Sequence, residues 1–203
     1  MAERAGVRAA FYNAFGLRPR LEAPNLYLDT PVILHLLLPS GERPEAEELL
    51  RRVLDLDWTL TTSTYARMEA LERLQESAWV RREVLRRKEW RAIREQLNRG
   101  MDREPLSSRT LHRLERTFDS LFYFLDEARA FSLVSLNDDG WNTASALAAT
   151  THISATDSIH VATALQERCH VLVASDTQLR NAASSHIRTG DPASLNAILR
   201  RLV

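Results

Sequence analysis

The chain reads as an α/β protein, a parallel sheet flanked by helices, elaborated by a long helical hairpin. Three observations predict this. Short hydrophobic stretches alternate with longer stretches of helical spacing, in the order β-α-α-β-α…β-α-α-β-α-β-α, and that alternation calls for crossover helices over parallel strands. Two of the hydrophobic stretches run directly into an aspartate, Asp29 and Asp176. Between them, residues 67–116 carry leucines and aromatics at three- and four-residue spacing over lengths that only helices reach.

Taken in order, residues 2–16 predict a short helix, with Phe11 and Phe15 four apart on one face. Residues 17–24 hold two prolines and read as a linker. Residues 25–28 form a compact strand. Asp29-Thr30-Pro31 opens a helix through residue 38, because a proline at the first helical position gives up an N–H that has no partner there. A break at Pro39-Ser40-Gly41 precedes a helix over 44–56, acidic at its start and basic at Arg51-Arg52, as the helix dipole favours. Residues 58–62 alternate and are β-branched, which predicts a second strand. Ser63 or Thr64 caps the next helix, which carries Glu69 and extends by periodicity to about residue 97, where Asn98-Arg99-Gly100 stops it. A second long helix starts at Ser107 or Ser108 and carries Leu111, Leu114, Phe118, Leu121 and Leu125 as a stripe. Residues 131–136 are a third strand, 137–140 a loop and 141–150 a short helix. Then come the helix that begins near Asp157, a strand over 171–175, a helical turn or two from 177 to 183, an edge strand at 187–189 and a closing helix over 192–202. The expected organisation is one domain over residues 1–203, with an N-terminal helical extension (1–24) and a hairpin elaboration (about 79–130).

Composition bounds the function. With 44% hydrophobic and 27% charged residues, the chain has material for an ordinary globular core. The net charge is zero, so total charge attracts no polyanion, but residues 67–116 hold 14 basic against 9 acidic side chains. All basic residues except Lys88 are arginine. Cys169 is the single cysteine, which excludes a disulfide framework and a thiolate metal site. No segment approaches the roughly 18 apolar residues of a membrane span, so the expected setting is cytoplasmic, with no membrane partner.

The acids carry the chemistry. Asp29 and Asp176 stand at the carboxyl ends of strands, the edge where open α/β sheets bind ligands. Glu69 and Asp157 lie on helices whose starts face the same edge. Singly, each has an ordinary structural use, as a helix cap, a first-turn acid or a solvated helix residue. Together, four close carboxylates repel one another, and a divalent cation removes that repulsion. All-oxygen ligation suits Mg²⁺ or Mn²⁺, which can lower the pKa of a bound water and polarise a phosphodiester. No GxSxG, Walker A or HExxH pattern offers a competing chemistry. Thr30 and Ser175 are candidates to support the acids or touch phosphate, with capping as the plainer role. His160, three residues after Asp157, reads first as a packed helix histidine.

These motifs resemble the PIN-domain nucleases, and among them VapC-type toxins of toxin–antitoxin pairs. Leu26-Tyr27-Leu28-Asp29-Thr30 is similar to the family's first strand and its Asp. Thr62 through Glu69 is similar to the second motif, with its helical Glu. Asp157-Ser158-Ile159-His160-Val161-Ala162-Thr163-Ala164, followed by Leu172-Val173-Ala174-Ser175-Asp176, is similar to the third and fourth. Pro31 stands where the family usually has Asn or Ser, and Ala174 where a hydroxyl is common. The resemblance implies a PIN-like parallel sheet, a metal-dependent ribonuclease acting on RNA with Asp29, Glu69, Asp157 and Asp176 as its acidic site, a cognate antitoxin as partner, and often a homodimer.

Arg87, Arg91 and Arg94 follow four–three spacing and predict a stripe along one helix. Their functional reading is a track for an RNA backbone. The plainer reading is a solvated face laced with Glu–Arg pairs. Two functions follow for the whole chain: a metal-dependent endoribonuclease, or a catalytically silent module of the same fold that binds RNA or protein.

Overall fold

The computed structural model describes residues 2–20, 22–99, 104–128 and 130–202. Five strands form one sheet: β1 (Asn25–Leu28), β2 (Thr59–Ser63), β3 (Phe131–Val134), β4 (Val171–Val173) and β5 (Arg188–Gly190), in the order β3-β2-β1-β4-β5. Every neighbouring pair is parallel. The helices are α1 (Ala2–Ala14), α2 (Thr30–Leu37), α3 (Arg43–Asp55), α4 (Thr64–Leu85), α5 (Trp90–Arg99), α6 (Ser108–Glu127), α7 (Asp138–Thr150), α8 (Ala155–Gln166), α9 (Thr177–Ala183) and α10 (Pro192–Leu202).

The period of two along a strand divides the core into two layers. Leu26 and Leu28 of β1 and Val171 and Val173 of β4 pack with Phe11 (α1), Ile33 (α2), Leu49 (α3), Phe118 (α6) and Leu195 (α10) on one face. Tyr27 and Leu172 point the other way, into a smaller core with Leu147 (α7), Val161 (α8) and Leu179 (α9). Residues buried on both faces explain why β1 and β4 read as continuous apolar runs. The chain moves outward from β1 through β2 to β3, then returns to β4 on the opposite side of β1. That reversal places the topological switch point between β1 and β4, and a crevice opens beyond their carboxyl ends.

Two sequence expectations are corrected. The helix predicted to run to residue 97 is two helices, because α4 closes on a local cap. Arg87 takes a left-handed φ of 58°, and the N–H groups of Arg87 and Lys88 return to the carbonyls of Val84 and Glu83 at 2.9 and 3.2 Å. The fully buried Glu83 carboxylate anchors this turn, accepting from Arg82 at 3.0 Å, lying 3.6 Å from Arg86 and pairing with Lys88. Arg82 also donates to the carbonyls of Glu104 and Pro105, each at 2.8 Å, tying the lead-in of α6 to α4. Arg87 therefore sits in the turn while Arg91 and Arg94 are exposed on α5, so the three do not share one helical stripe. The predicted stop at Gly100 lies outside the described residues.

The second correction concerns residues 137–140. Asn137 caps α7, its side chain accepting from Gly140 N at 2.8 Å, so Asp138 and Asp139 form a first helical turn and not a loop. A Cβ at Gly140 would come within 2.5 Å of Gln166 Oε1 and Leu136 Cδ2, so the ends of these two side chains pack directly on the glycine.

Candidate acidic site at the sheet edge

Asp29 extends β1 by one residue, its N–H donating to Val173 O of β4 at 3.0 Å. This bond fixes it at the switch point. Its carboxylate caps α2, Oδ1 accepting from Thr30 N at 2.8 Å, and the residue is only 3% exposed. Thr30 turns its hydroxyl toward α4 and donates to Glu69 Oε2 at 2.7 Å. Thr30 thus holds the Glu69 carboxylate in addition to opening α2.

Glu69 is placed by the start of its helix. Ser63 caps α4, its Oγ accepting from Ala66 N at 2.9 Å. The same Oγ accepts from Tyr27 OH at 3.0 Å, across to the central strand. The Tyr27 oxygen lies 2.9 Å from His160 Nδ1 on α8. His160 Nε2 lies 3.3 Å from Glu69 Oε2 and 3.5 Å from Asp29 Oδ1. With the Tyr27 proton directed at Ser63, the Tyr27 oxygen is open to accept from Nδ1–H. Nε2 faces two carboxylates and needs a proton as well. The ring thus sits between two acids, a setting that favours its protonated form.

The electrostatics agree with that arrangement. Burial pulls His160 toward neutrality, but the Glu69 hydrogen bond and the charges of Asp29, Glu69 and Asp157 outweigh it and raise its pKa. Burial pushes Asp29 up to about 6; His160 and the Thr30 N–H offset part of this, while Asp157 and Glu69 add to it. Glu69 is held below its ordinary value, first by the His160 hydrogen bond and then, against burial, by Thr30. Asp157, half-buried in the first turn of α8, thus makes itself felt on both Asp29 and His160 through its charge.

Asp176 is used differently. It is exposed and caps α9, Oδ1 accepting from Gln178 N at 2.6 Å and Leu179 N at 3.3 Å. Ser175 pairs with His35, Oγ to Nε2 at 3.2 Å, and His35 also meets Glu42 at 2.8 Å. Arg180 fixes this loop by donating to the carbonyls of Ala174 and Ser175 at 2.7 and 2.8 Å. Among the described residues, no three of His, Cys, Asp and Glu are grouped so as to hold a metal ion. The donor chemistry still suits a hard divalent cation: Asp29, Glu69 and Asp157 are oxygen donors, and burial first, then the charges of Asp157 and Glu69, raises the proton affinity of Asp29.

Sequence reading undervalued His160. It is a packed helix histidine, 2% exposed, and it also joins two of the acids. The one available signal was its i,i+3 relation to Asp157, which places both on adjoining parts of the α8 surface. The Ser63–Tyr27–His160 chain had no signal at all, because its members lie up to 133 residues apart.

Comparison with known proteins agrees with this architecture. The PIN domain family matches residues 26–184. Among solved structures, FitAcB from Neisseria gonorrhoeae aligns over 83% of this chain and 98% of its own at 17% identity and a TM-score of 0.53, a likeness of fold. VapBC2 from Rickettsia felis, bound to a DNA fragment from its promoter, aligns over 82% and 98% at 10% identity and a TM-score of 0.49. FitAB bound to a DNA fragment aligns over 82% and 94% at 17% identity and a TM-score of 0.49. No curated protein matches. The match spans both strand-end aspartates, Glu69 and the whole of α8, and the chain belongs to the PIN-domain family.

Proposed function

We propose that the chain is a divalent-metal-dependent endoribonuclease that hydrolyses RNA phosphodiester bonds, and that it is the toxin of a VapBC-type pair with a cognate antitoxin. The observation that carries this is the meeting of buried Asp29 with Glu69 at the switch point, within the field of Asp157. Asp29, Glu69 and Asp157 are the residues that would hold Mg²⁺ or Mn²⁺, with Asp176 at the rim. Such an ion, when bound, supplies Lewis acidity and a lowered pKa for its water. The protein's own residues do the rest. Thr30 and His160 hold the Glu69 carboxylate in a fixed orientation. Burial of Asp29 keeps bulk water from screening the site. His160, 3.5 Å from Asp29 and 3.3 Å from Glu69, joins the two acids without an ion.

A second reading has its own support. The acids are occupied with internal partners: Asp176 and Asp29 cap helices, and His160 bridges Asp29 and Glu69. A catalytically silent module of the PIN fold would show this pattern too. Incubating the protein with total tRNA and rRNA in Mn²⁺ or Mg²⁺, with EDTA and Asp157→Asn as controls, separates the two. Discrete cleavage lost in both controls is the expected result. No cleavage, together with no stoichiometric Mn²⁺ binding by calorimetry, would favour the silent module.

A further inference from the structure

The other edge of the sheet carries a feature unrelated to the acids. A pocket of about 460 Å³ opens beside the amino end of β4. Three arginines from separate parts of the chain line it: Arg20 from the linker before β1, Arg168 after α8 and Arg188 on β5. No acid is in its lining. Arg188 leans over the end of α1, its guanidinium within 3.5 Å of where a Cβ on Gly16 would sit. All three side chains are exposed, and among the described residues none makes an ion pair. Elsewhere the arginines of this chain are commonly paired, as in Arg43–Glu47, Arg52–Glu48 and Arg180–Asp191. Glu167, adjacent to Arg168, instead accepts from Gln166 at 2.8 Å.

The rest of the pocket suits an anionic ligand with an apolar part. Leu17, Leu165 and Ile187 give it an apolar floor, and Ser184 and Ser185 add hydroxyls. Helix C-termini end here, but their carbonyls are taken: Ala164 O accepts from Cys169 N, and Ala183 O from His186 N and Ile187 N. His170 adds no charge. Its Nδ1 accepts from Asn25 N at 3.0 Å, and its pKa is lowered by burial and then by Arg20, whose effect exceeds the opposing one of Glu22. A volume in the range of roughly 300–1,000 Å³ admits a small-molecule ligand larger than a bare phosphate. Arginine forks match phosphate oxygens in pairs.

We propose that this pocket is a phosphate-binding site that takes a nucleotide unit, its phosphate on Arg20, Arg168 and Arg188 and its base on the apolar floor. β4 lies between this pocket, at its amino end, and Asp29 and Asp176 beyond the carboxyl ends of β1 and β4, so this site is distinct from the acidic one. The nucleotide is either free or part of a nucleic-acid strand, and the test separates the two.

Binding is measured in EDTA, so the outcome does not depend on the nuclease reading. A short fluorescein-labelled single-stranded RNA is titrated by anisotropy at several salt concentrations, and AMP and inorganic phosphate are titrated by calorimetry. The variants are Arg168→Gly with Arg188→Gln, and Arg20→Gln alone; Arg109→Gln with Arg116→Gln, exposed on α6 and away from the pocket, is the control. Arg168 has a left-handed φ of 51°, where glycine is at ease, so Arg168→Gly should leave the melting temperature unchanged or raised. A merely structural Arg168 would lower it. For a strand ligand, the double variant should weaken RNA about tenfold or more and reduce the slope of log K against log salt by about 1.4, for two phosphate contacts on a single strand. For a free nucleotide, AMP should bind the wild type and not the double variant. Unchanged RNA and AMP binding in the Arg20, Arg168 and Arg188 variants, or an equal loss in the Arg109/Arg116 control, overturns the proposal.

Discussion

Replacing the buried acid at the centre of the site should make the metal-free protein more stable. Asp29 has a pKa of about 6 in the folded chain against an ordinary 3.8. Between these values the folded state binds the proton more tightly than the unfolded state, so stability falls as pH rises through this window. A shift of about two units corresponds to roughly 3 kcal/mol at pH values above the folded pKa. The value already includes the attraction of His160, so no separate correction applies. Asp29→Asn keeps an oxygen to accept from Thr30 N and removes the charge. In EDTA at pH 8 the variant should gain up to about 3 kcal/mol, or roughly 6–12 °C in Tm for a chain of this size. Near pH 4 most of the gain should vanish, because the folded carboxyl is then neutral and the unfolded one, with its ordinary pKa of 3.8, is only about half ionised. Glu69, whose pKa is lowered, contributes with the opposite sign, losing its stabilisation as pH falls below 4.5. Since both proteins carry Glu69, the difference between them isolates Asp29. Urea denaturation at a series of pH values measures it. An Asn variant destabilised equally at pH 4 and pH 8 would refute the reasoning and leave Asp29 as a helix cap. In the nuclease reading, saturating Mn²⁺ should restore the wild type and not the variant, since an ion bound only by the folded state stabilises it.

Three further outcomes follow from the same geometry. His160→Leu removes the ring that joins two acids and should cost about 3 kcal/mol at pH 7 in EDTA by urea denaturation, with Asp29 titrating higher than about 6 by carboxyl NMR. Ser63→Ala removes the cap of α4 and an acceptor of the buried Tyr27 hydroxyl, which should cost roughly 2–3 kcal/mol and, if cleavage is observed, lower kcat by shifting Glu69. Glu83→Gln should cost roughly 2–3 kcal/mol by releasing Lys88, Arg82 and Arg86, with faster hydrogen exchange across the turn between α4 and α5 than in the sheet.

Much of the sheet was legible because its determinants are local. The short apolar runs at 26–28 and 171–173 and the β-branched alternation at 58–62 define strands whichever partners they find. Caps are also local, and Asp29 and Asp176 serve as the helix caps that their positions before α2 and α9 suggest. The break between α4 and α5 was hidden for the opposite reason. Helical periodicity continues through Arg86-Arg87-Lys88, and no glycine or proline marks the stop. Where α4 ends, Glu83 is buried under cations of its own turn, and Arg82 among them is tied to the lead-in of α6, a contact no local pattern announces.

The sequence by itself determined the α/β class, most strand positions, and an acid at the end of each of two strands. Periods of two and 3.6 and the choice of capping residue act over a few neighbouring positions, so one chain suffices to read them. The tertiary structure alone decided which acids meet. Strand order sets Asp29 beside β4, and α4 and α8 bring Glu69 and His160 to it from positions 91 residues apart. The same order gathers Arg20, Arg168 and Arg188 at the far edge, with no sequence proximity to announce it. Side-chain convergence of this kind depends on how crossovers order the strands, a property of the whole chain and not of any segment.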